Sequence, residues 1–171
     1  MENPGFDDTW RAAVGRGERA AFGALYDALG ARLLAVARGL SGAHADAEDL
    51  VQQTFLDLYR SRTALARARD VESYAFASLR HRSASAARRL RPVALEVEPA
   101  REDPAPREAD PRLERALATL PAEQREALEL RSAGGLTFEQ LGEVLGVSAD
   151  TAASRVRYAL EKLRRSLGGN A

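Results

Sequence analysis

The sequence predicts an all-α protein: two small helical domains joined by a Pro/acid-rich linker, with a C-terminal helix-turn-helix. Three observations predict it. Apolar residues recur at spacings of three and four through most of the chain, with no strand-like alternation of any length and no internal repeat. Pro92, Pro99, Pro104, Pro106 and Pro111 punctuate a stretch that also holds Glu96, Glu98, Glu102, Asp103, Glu108 and Asp110. Near the C-terminus, two helical patterns meet at Gly146.

Residues before Asp7 are expected to be loose. Phe22, Leu25, Tyr26, Leu29, Leu33, Val36, Ala37 and Leu40 form one amphipathic stripe, which Ser41-Gly42 breaks. Asp46 can cap a second helix whose inner side is Ala47, Leu50, Val51, Phe55, Leu58 and Tyr59. A polar, Arg-rich connection is expected from Ser61 to Asp70. A third helix then spans about Val71 to Arg91, with Phe76, Leu79, Ala86, Ala87 and Leu90 inward. Tyr74, His81, Arg82, Ser85, Arg88 and Arg89 face outward. Residues 1–91 therefore read as one small bundle.

Residues 92–111 cannot bury a core and read as an extended linker. Residues 112–171 read as the second domain. Leu113, Leu117 and Leu120 make one short helix. Pro121 fits the first position of the next, which turns Ala127, Leu128 and Leu130 inward. Ala133-Gly134-Gly135 ends it. Phe138, Leu141, Val144 and Leu145 mark a short helix that Gly146 stops in the left-handed conformation. Val147 plugs the turn. Ser148 caps the last helix, and Asp150 in its first turn favours the helix dipole. That helix is expected to bury Ala152, Val156, Ala159, Leu160, Leu163 and Leu167. Asp150, Ser154, Arg157, Tyr158, Glu161 and Arg165 lie opposite, with Arg155 on the flank. Gly142 lets the two helices cross closely. Two helices at a tight turn, the second long and basic outside, make a DNA reader.

Composition excludes several classes. The 171 residues hold no cysteine, so there is no disulfide, thiolate zinc site or cysteine nucleophile. His44 and His81 stand far apart without a carboxylate cluster at ligand spacing, so no metal, cofactor or catalytic set is expected. No apolar run suits a signal peptide or membrane span, so the expected location is cytoplasmic, without membrane insertion or a small-molecule substrate. Formal net charge is zero, yet from Arg60 to Arg91 nine arginines stand against Asp70 and Glu72, a net of +7. An Arg-dense segment in a neutral chain is an electrostatic footprint for a polyanion.

This order of parts resembles the extracytoplasmic-function (ECF, group IV) sigma factors of bacterial RNA polymerase. AEDLVQQTFLDLY (Ala47 to Tyr59) is similar to the helix that carries A-E-D-L-V-Q-E-x-F in that family. LPAEQREALELR (Leu120 to Arg131) and GLTFEQLGEVLGVSADTAASRVRYALEKLR (Gly135 to Arg164) resemble its fourth conserved region. The resemblance implies a non-enzymatic promoter-specificity subunit with core RNA polymerase and promoter DNA as partners, and an anti-sigma factor as a further one. It implies that Asp49, Gln52, Gln53 and Phe55 meet core polymerase. Tyr74, His81, Arg82, Ser85, Arg88 and Arg89 would open the downstream promoter element. Asp150, Thr151, Ala153, Ser154, Arg155, Arg157 and Tyr158 would read the upstream element as duplex.

Two runs depart from the family pattern. N-x-x-x-D-x-x-R becomes His81-x-x-x-Ser85-x-x-Arg88, and T-V-K-S-R becomes Thr151-Ala152-Ala153-Ser154-Arg155. These changes leave two rivals: a sigma-like helix-turn-helix regulator, and an interaction protein that binds DNA or a partner without initiating transcription. Arg155 also has a plain structural alternative, pairing with an acid such as Glu143.

Overall fold

The computed structural model describes residues 5–41, 44–90 and 110–168, and only the backbone of residues 41, 44–46 and 87–90. The chain divides into two compact units, Met1–Glu96 and Val97–Ala171. Residues 92–109 of the expected linker and the breaker Gly42 lie outside the described residues, and the last two linker positions, Asp110 and Pro111, instead start a helix.

The first unit begins with a helix absent from the sequence expectation, α1 (Asp8–Arg16). Asp7 caps it by accepting from the Trp10 amide at 2.8 Å, and Gly17 closes it at φ +77°. The Trp10 indole donates to the Ala21 carbonyl at 3.0 Å, which ties α1 to α2 (Arg19–Ser41). Leu25, Leu29, Leu33, Val36 and Ala37 of α2 are fully buried. By length and composition α2 could cross a membrane, but that stripe is the centre of the bundle. It packs on α3 (His44–Arg60) and α5 (Val71–Leu90). Asp46 is not the cap of α3, which starts two residues earlier.

Ser61 to Asp70 is not a simple connection. It holds a short helix, α4 (Arg62–Arg67), whose Leu65 is fully buried. α1 packs against it. Arg11 Nη1 donates to the carbonyls of Ala66 (3.0 Å) and Ala68 (2.7 Å) and so satisfies acceptors at the end of α4. Asp70 caps α5 by accepting from the Ser73 amide. Arg32 of α2 pairs with Glu72 of α5 at 2.8 Å and lies over the Phe76 ring.

Tyr26 and Tyr59, expected inside, are exposed. Each packs edge-on or tilted against an aromatic across the α2–α3 seam, Tyr26 on Phe55 and Tyr59 on Phe22. Ala86, also expected inside, is exposed. Ala87 and Leu90 lie beyond the described side chains.

The second unit comprises α6 (Pro111–Ala118), α7 (Ala122–Ser132), α8 (Phe138–Leu145) and α9 (Ala149–Gly168). Asp110 caps α6 with Pro111 at the first position. Pro121 is the N-cap of α7 rather than its first residue. α6, α7 and α8 all pack on α9. Ala152, Val156, Ala159 and Leu163 of α9 are buried as expected. Leu160 and Leu167 are not, at 37% and 42% exposed; at 100° per residue they sit about 70° and about 50° from the centre of that stripe. Leu113 of α6 is exposed.

A Cβ on Gly142 would stand 2.8 Å from the Val147 carbonyl oxygen and 3.1 Å from the Ala149 nitrogen. Both are backbone atoms, so neither can swing away. Gly142→Ala should therefore cost about 1–3 kcal/mol through overpacking, more than the ~1 kcal/mol alanine gains over glycine in a helix. Trp10 is the single tryptophan. The helical circular-dichroism transition should fall in temperature while the Trp10 fluorescence transition of the first unit stays.

Burial raises the Glu129 carboxyl above its ordinary value of 4.5, against the opposing pull of Arg125. A raised folded value means that the folded chain holds this proton more tightly than the unfolded one. The contribution to stability is complete below the unfolded value and is lost as pH rises through the folded value. Glu129→Gln should therefore stabilise the second unit near neutral pH, with a gain that shrinks toward zero on acidification. Urea melts across that range check it.

Candidate functional site

Three outward surfaces carry the residues singled out by sequence. The first is α9. Thr137 and Gln140 form a reciprocal capping box that starts α8, with bonds of 3.2 and 2.9 Å. Gly146 at φ +70° ends α8, and the Val147 amide bonds back to the Gly142 carbonyl at 3.0 Å. Ser148 Oγ then accepts from the Thr151 amide at 3.1 Å and shares a 2.9 Å bond with the Thr151 hydroxyl. The start of α9 is thus fixed by the turn itself.

From that start, Asp150, Thr151, Arg157 and Tyr158 are exposed, and Ala153 and Ser154 are half-buried. The Arg157 guanidinium lies 5.1 Å from the centre of the Tyr158 ring. That contact pre-orders a planar bidentate donor beside an aromatic face. Two expected readers are committed elsewhere. The Thr151 hydroxyl belongs to the cap. Arg155 Nη2 pairs with Glu123 Oε2 of α7 at 2.8 Å, and its side chain is only 22% exposed. Arg155 does pair with an acid, and that acid is Glu123 of α7. Their 32-residue separation left no local signal.

The second surface is α5. His81 is exposed, Tyr74, Arg82 and Ser85 are half-buried, and the side chains of Arg88 and Arg89 lie outside the described residues. Ser85 Oγ donates to the His81 carbonyl at 2.9 Å. Arg82 does not project freely. Its Nε donates to Asp57 Oδ2 of α3 at 2.8 Å, and its Nη2 reaches the same oxygen.

The third surface is α3. Asp49 and Gln52 are exposed, Gln53 is half-buried, and Leu50 and Val51 are core. Phe55 is half-buried against Tyr26, ring centres 5.2 Å apart. Sequence reasoning missed the exposure of Leu56 beside them. It also missed Asp57, whose partner is 25 residues away.

The geometry agrees with the comparisons to known proteins. A family model described as Sigma-70 region 2 matches residues 25–92, and one described as Sigma-70, region 4 matches residues 116–165. The chain is 34% identical over 132 residues to the RNA polymerase sigma factor CarQ of Myxococcus xanthus, covering 71% of this chain and 75% of that one. It is 32% identical over 162 residues to the ECF RNA polymerase sigma factor SigF of Caulobacter vibrioides, covering 89% and 90%. To the ECF RNA polymerase sigma factor SigE of Mycolicibacterium smegmatis it is 33% identical over 153 residues. That match takes in 78% of this chain but spans only 56% of the relative's length.

Among solved structures, the sigma factor RpoE of Bartonella quintana, in complex with the anti-sigma factor NepR, has a TM-score of 0.67. Identity is 30%, over 81% of this chain and 91% of that one. CnrH, in complex with the cytosolic domain of CnrY, shares the fold: its TM-score is 0.73 over 96% of this chain and 99% of that one, at 22% identity.

Proposed function

This chain belongs to the ECF family of RNA polymerase sigma factors, and we propose that it acts as one: it binds core RNA polymerase and directs it to promoters. The observation that carries this reading is the division of outward faces between the two matched regions. Residues 1–91 act as the region 2 domain, 92–111 as the tether and 112–171 as the region 4 domain. The chain performs no catalysis of its own; RNA synthesis belongs to the core enzyme, in the cytoplasm.

Within the first domain, α3 meets the core enzyme through Asp49, Gln52, Gln53 and Phe55. The apolar neighbours Leu50 and Val51 hold the helix in the bundle while the polar members point out. α5 addresses the downstream element through Tyr74, His81 and Ser85, with Arg88 and Arg89 farther along. His81 replaces the family's asparagine with a ring that can stack on an unpaired base. Ser85 replaces a carboxylate with a neutral acceptor.

Within the second domain, α9 reads the upstream duplex. On this reading Asp150, Ser154, Arg157 and Tyr158 address base edges from the start of α9, with Thr151 and Ala153 lining the approach. Arg157 is the base reader of this set, because a guanidinium makes a bidentate contact to guanine. Arg155 supports the helix from behind through Glu123. The solved relative bound to an anti-sigma factor supports the same class of partner for this chain.

Reconstitution with core polymerase, followed by run-off transcription, tests the reading. Retention of core polymerase with transcript expresses a sigma factor. Retention without transcript expresses the interaction-protein reading, which the His81 and Ser85 replacements favour. DNA binding with no retention of core polymerase expresses a free-standing regulator.

Asp49 and Gln53 share one face of α3, four residues apart. The variant carrying both Asp49→Arg and Gln53→Arg should keep its melting transition and lose co-purification with core polymerase. Unchanged co-purification removes this assignment.

On α9, Arg157→Ala should relax preference at one base pair, by the ~1–3 kcal/mol typical of a bidentate guanine contact. Arg155→Ala should weaken binding to all promoter variants alike and lower the melting temperature, and Glu123→Gln should do the same. Arg165→Ala should weaken binding slightly and equally on all sequences. Binding selections from randomised upstream elements distinguish these outcomes.

A further inference from the structure

Asp57 lies on α3 two residues past the A-E-D-L-V-Q-E-x-F pattern, and the proposed interfaces do not use it. Its side chain receives Arg82 of α5 through both Nε and Nη2, and Arg60 approaches its other oxygen at 3.5 Å. Its backbone carbonyl accepts from the Ser61 amide at 2.9 Å and the Ser61 hydroxyl at 2.7 Å. One residue therefore holds both the start of the Arg-rich segment that forms α4 and the middle of α5.

Most surface ion pairs contribute little, because solvent screens them and two long side chains must be ordered. This pair differs in geometry. Two nitrogens of one planar guanidinium converge on one carboxylate oxygen, and the side chains are only 27% and 35% exposed. Its place is also particular. Asp49, Gln53 and Asp57 recur every four residues, so they form one row along α3. At the far end of the link, Arg82 follows His81 directly, and the His81 carbonyl holds the Ser85 hydroxyl.

We infer that the Asp57–Arg82 pair is a positioning device that fixes α5 relative to the polymerase-facing row of α3, so that His81 and Ser85 are presented to the opening DNA strand. Arg82 is a positioning residue and does not itself touch DNA. The inference rests on the sigma-factor reading above. It accounts for the internal commitment of a half-buried arginine that charge counting assigns to the polyanion footprint.

The experiment uses the full chain as holoenzyme, with Asp57→Asn, Arg82→Gln, both together, and the reciprocal exchange Asp57→Arg with Arg82→Asp. Melting temperature, affinity for core polymerase, and the opening rate of duplex and pre-opened promoters are measured. Each single variant should retain core affinity and slow opening of duplex promoter about tenfold, the equivalent of ~1.4 kcal/mol. The double variant should be no slower than either single one, since both remove the same link. The exchange should recover most of the rate, and a pre-opened promoter should abolish the difference.

A defect in Arg82→Gln with none in Asp57→Asn overturns the inference, because Arg82 then acts on DNA directly. Losses of core affinity and opening that follow melting temperature across the series overturn it too, because the pair is then ordinary support. Failure of the unaltered chain to open any promoter with core polymerase removes the functional reading instead, and the inference with it.

Discussion

The C-terminal unit depends on one close approach. At Gly142 the backbone of α8 meets the turn that follows it, with no room for a single methyl group before the Val147 carbonyl. That contact folds the chain back within four residues of the end of α8. The left-handed Gly146 makes the reversal sterically allowed, and Ser148 then caps α9 at once. Because the start of α9 is fixed this tightly, its rotation is fixed as well. Ala152, Val156, Ala159 and Leu163 must face inward, and Arg157 and Tyr158 are left outside. The outward face of α9, the proposed reading surface, is a consequence of a steric limit one helix earlier.

The first unit solves the corresponding problem with charge and hydrogen bonds at its helix ends. Arg11 closes the carbonyls at the end of α4, Arg32 joins α2 to Glu72 of α5, and Arg82 joins α5 to Asp57 of α3. The second unit uses such links too: Arg155 to Glu123, and Arg131 to the Leu136 carbonyl and the Phe138 ring. A guanidinium suits these sites because its planar fork serves two acceptors, or an acceptor and a ring, at once. In an arginine-rich chain of zero formal charge, many of the bases therefore work internally. The net of +7 between Arg60 and Arg91 overstates the charge available to DNA, since Arg82 spends its contacts within the bundle.

The pairing of the helices also leaves part of the aromatic content outside. Tyr26, Phe55, Phe22 and Tyr59 cover one another across the α2–α3 seam instead of filling the core. The interior is made of leucine, valine and alanine at 25, 29, 33, 36, 37 and their partners, with Phe76 the one fully buried aromatic among the described residues. Small side chains let the helices approach closely. The larger rings are displaced to the rim, where Phe55 is one of the residues proposed to meet the polymerase.

The sequence by itself determined the all-helical class, the order of the helices from Phe22 onward apart from α4, the turn at Gly142 and Gly146, and the polar face of α3. Each rests on local chemistry: apolar spacing, a glycine that tolerates positive φ, a cap within three residues. It did not reveal α1, although Asp7 three residues before Trp10 and Gly17 after it are the signals of a capped helix. It read α4 as a loop, because one buried leucine and no amphipathic stripe mark a six-residue helix. Only tertiary structure decided which arginines face outward. Glu123 lies 32 positions from Arg155 and Asp57 lies 25 from Arg82. Helical periodicity gives the direction of a side chain about its own axis, and it holds no information about the neighbouring helix that packs there and supplies the acid.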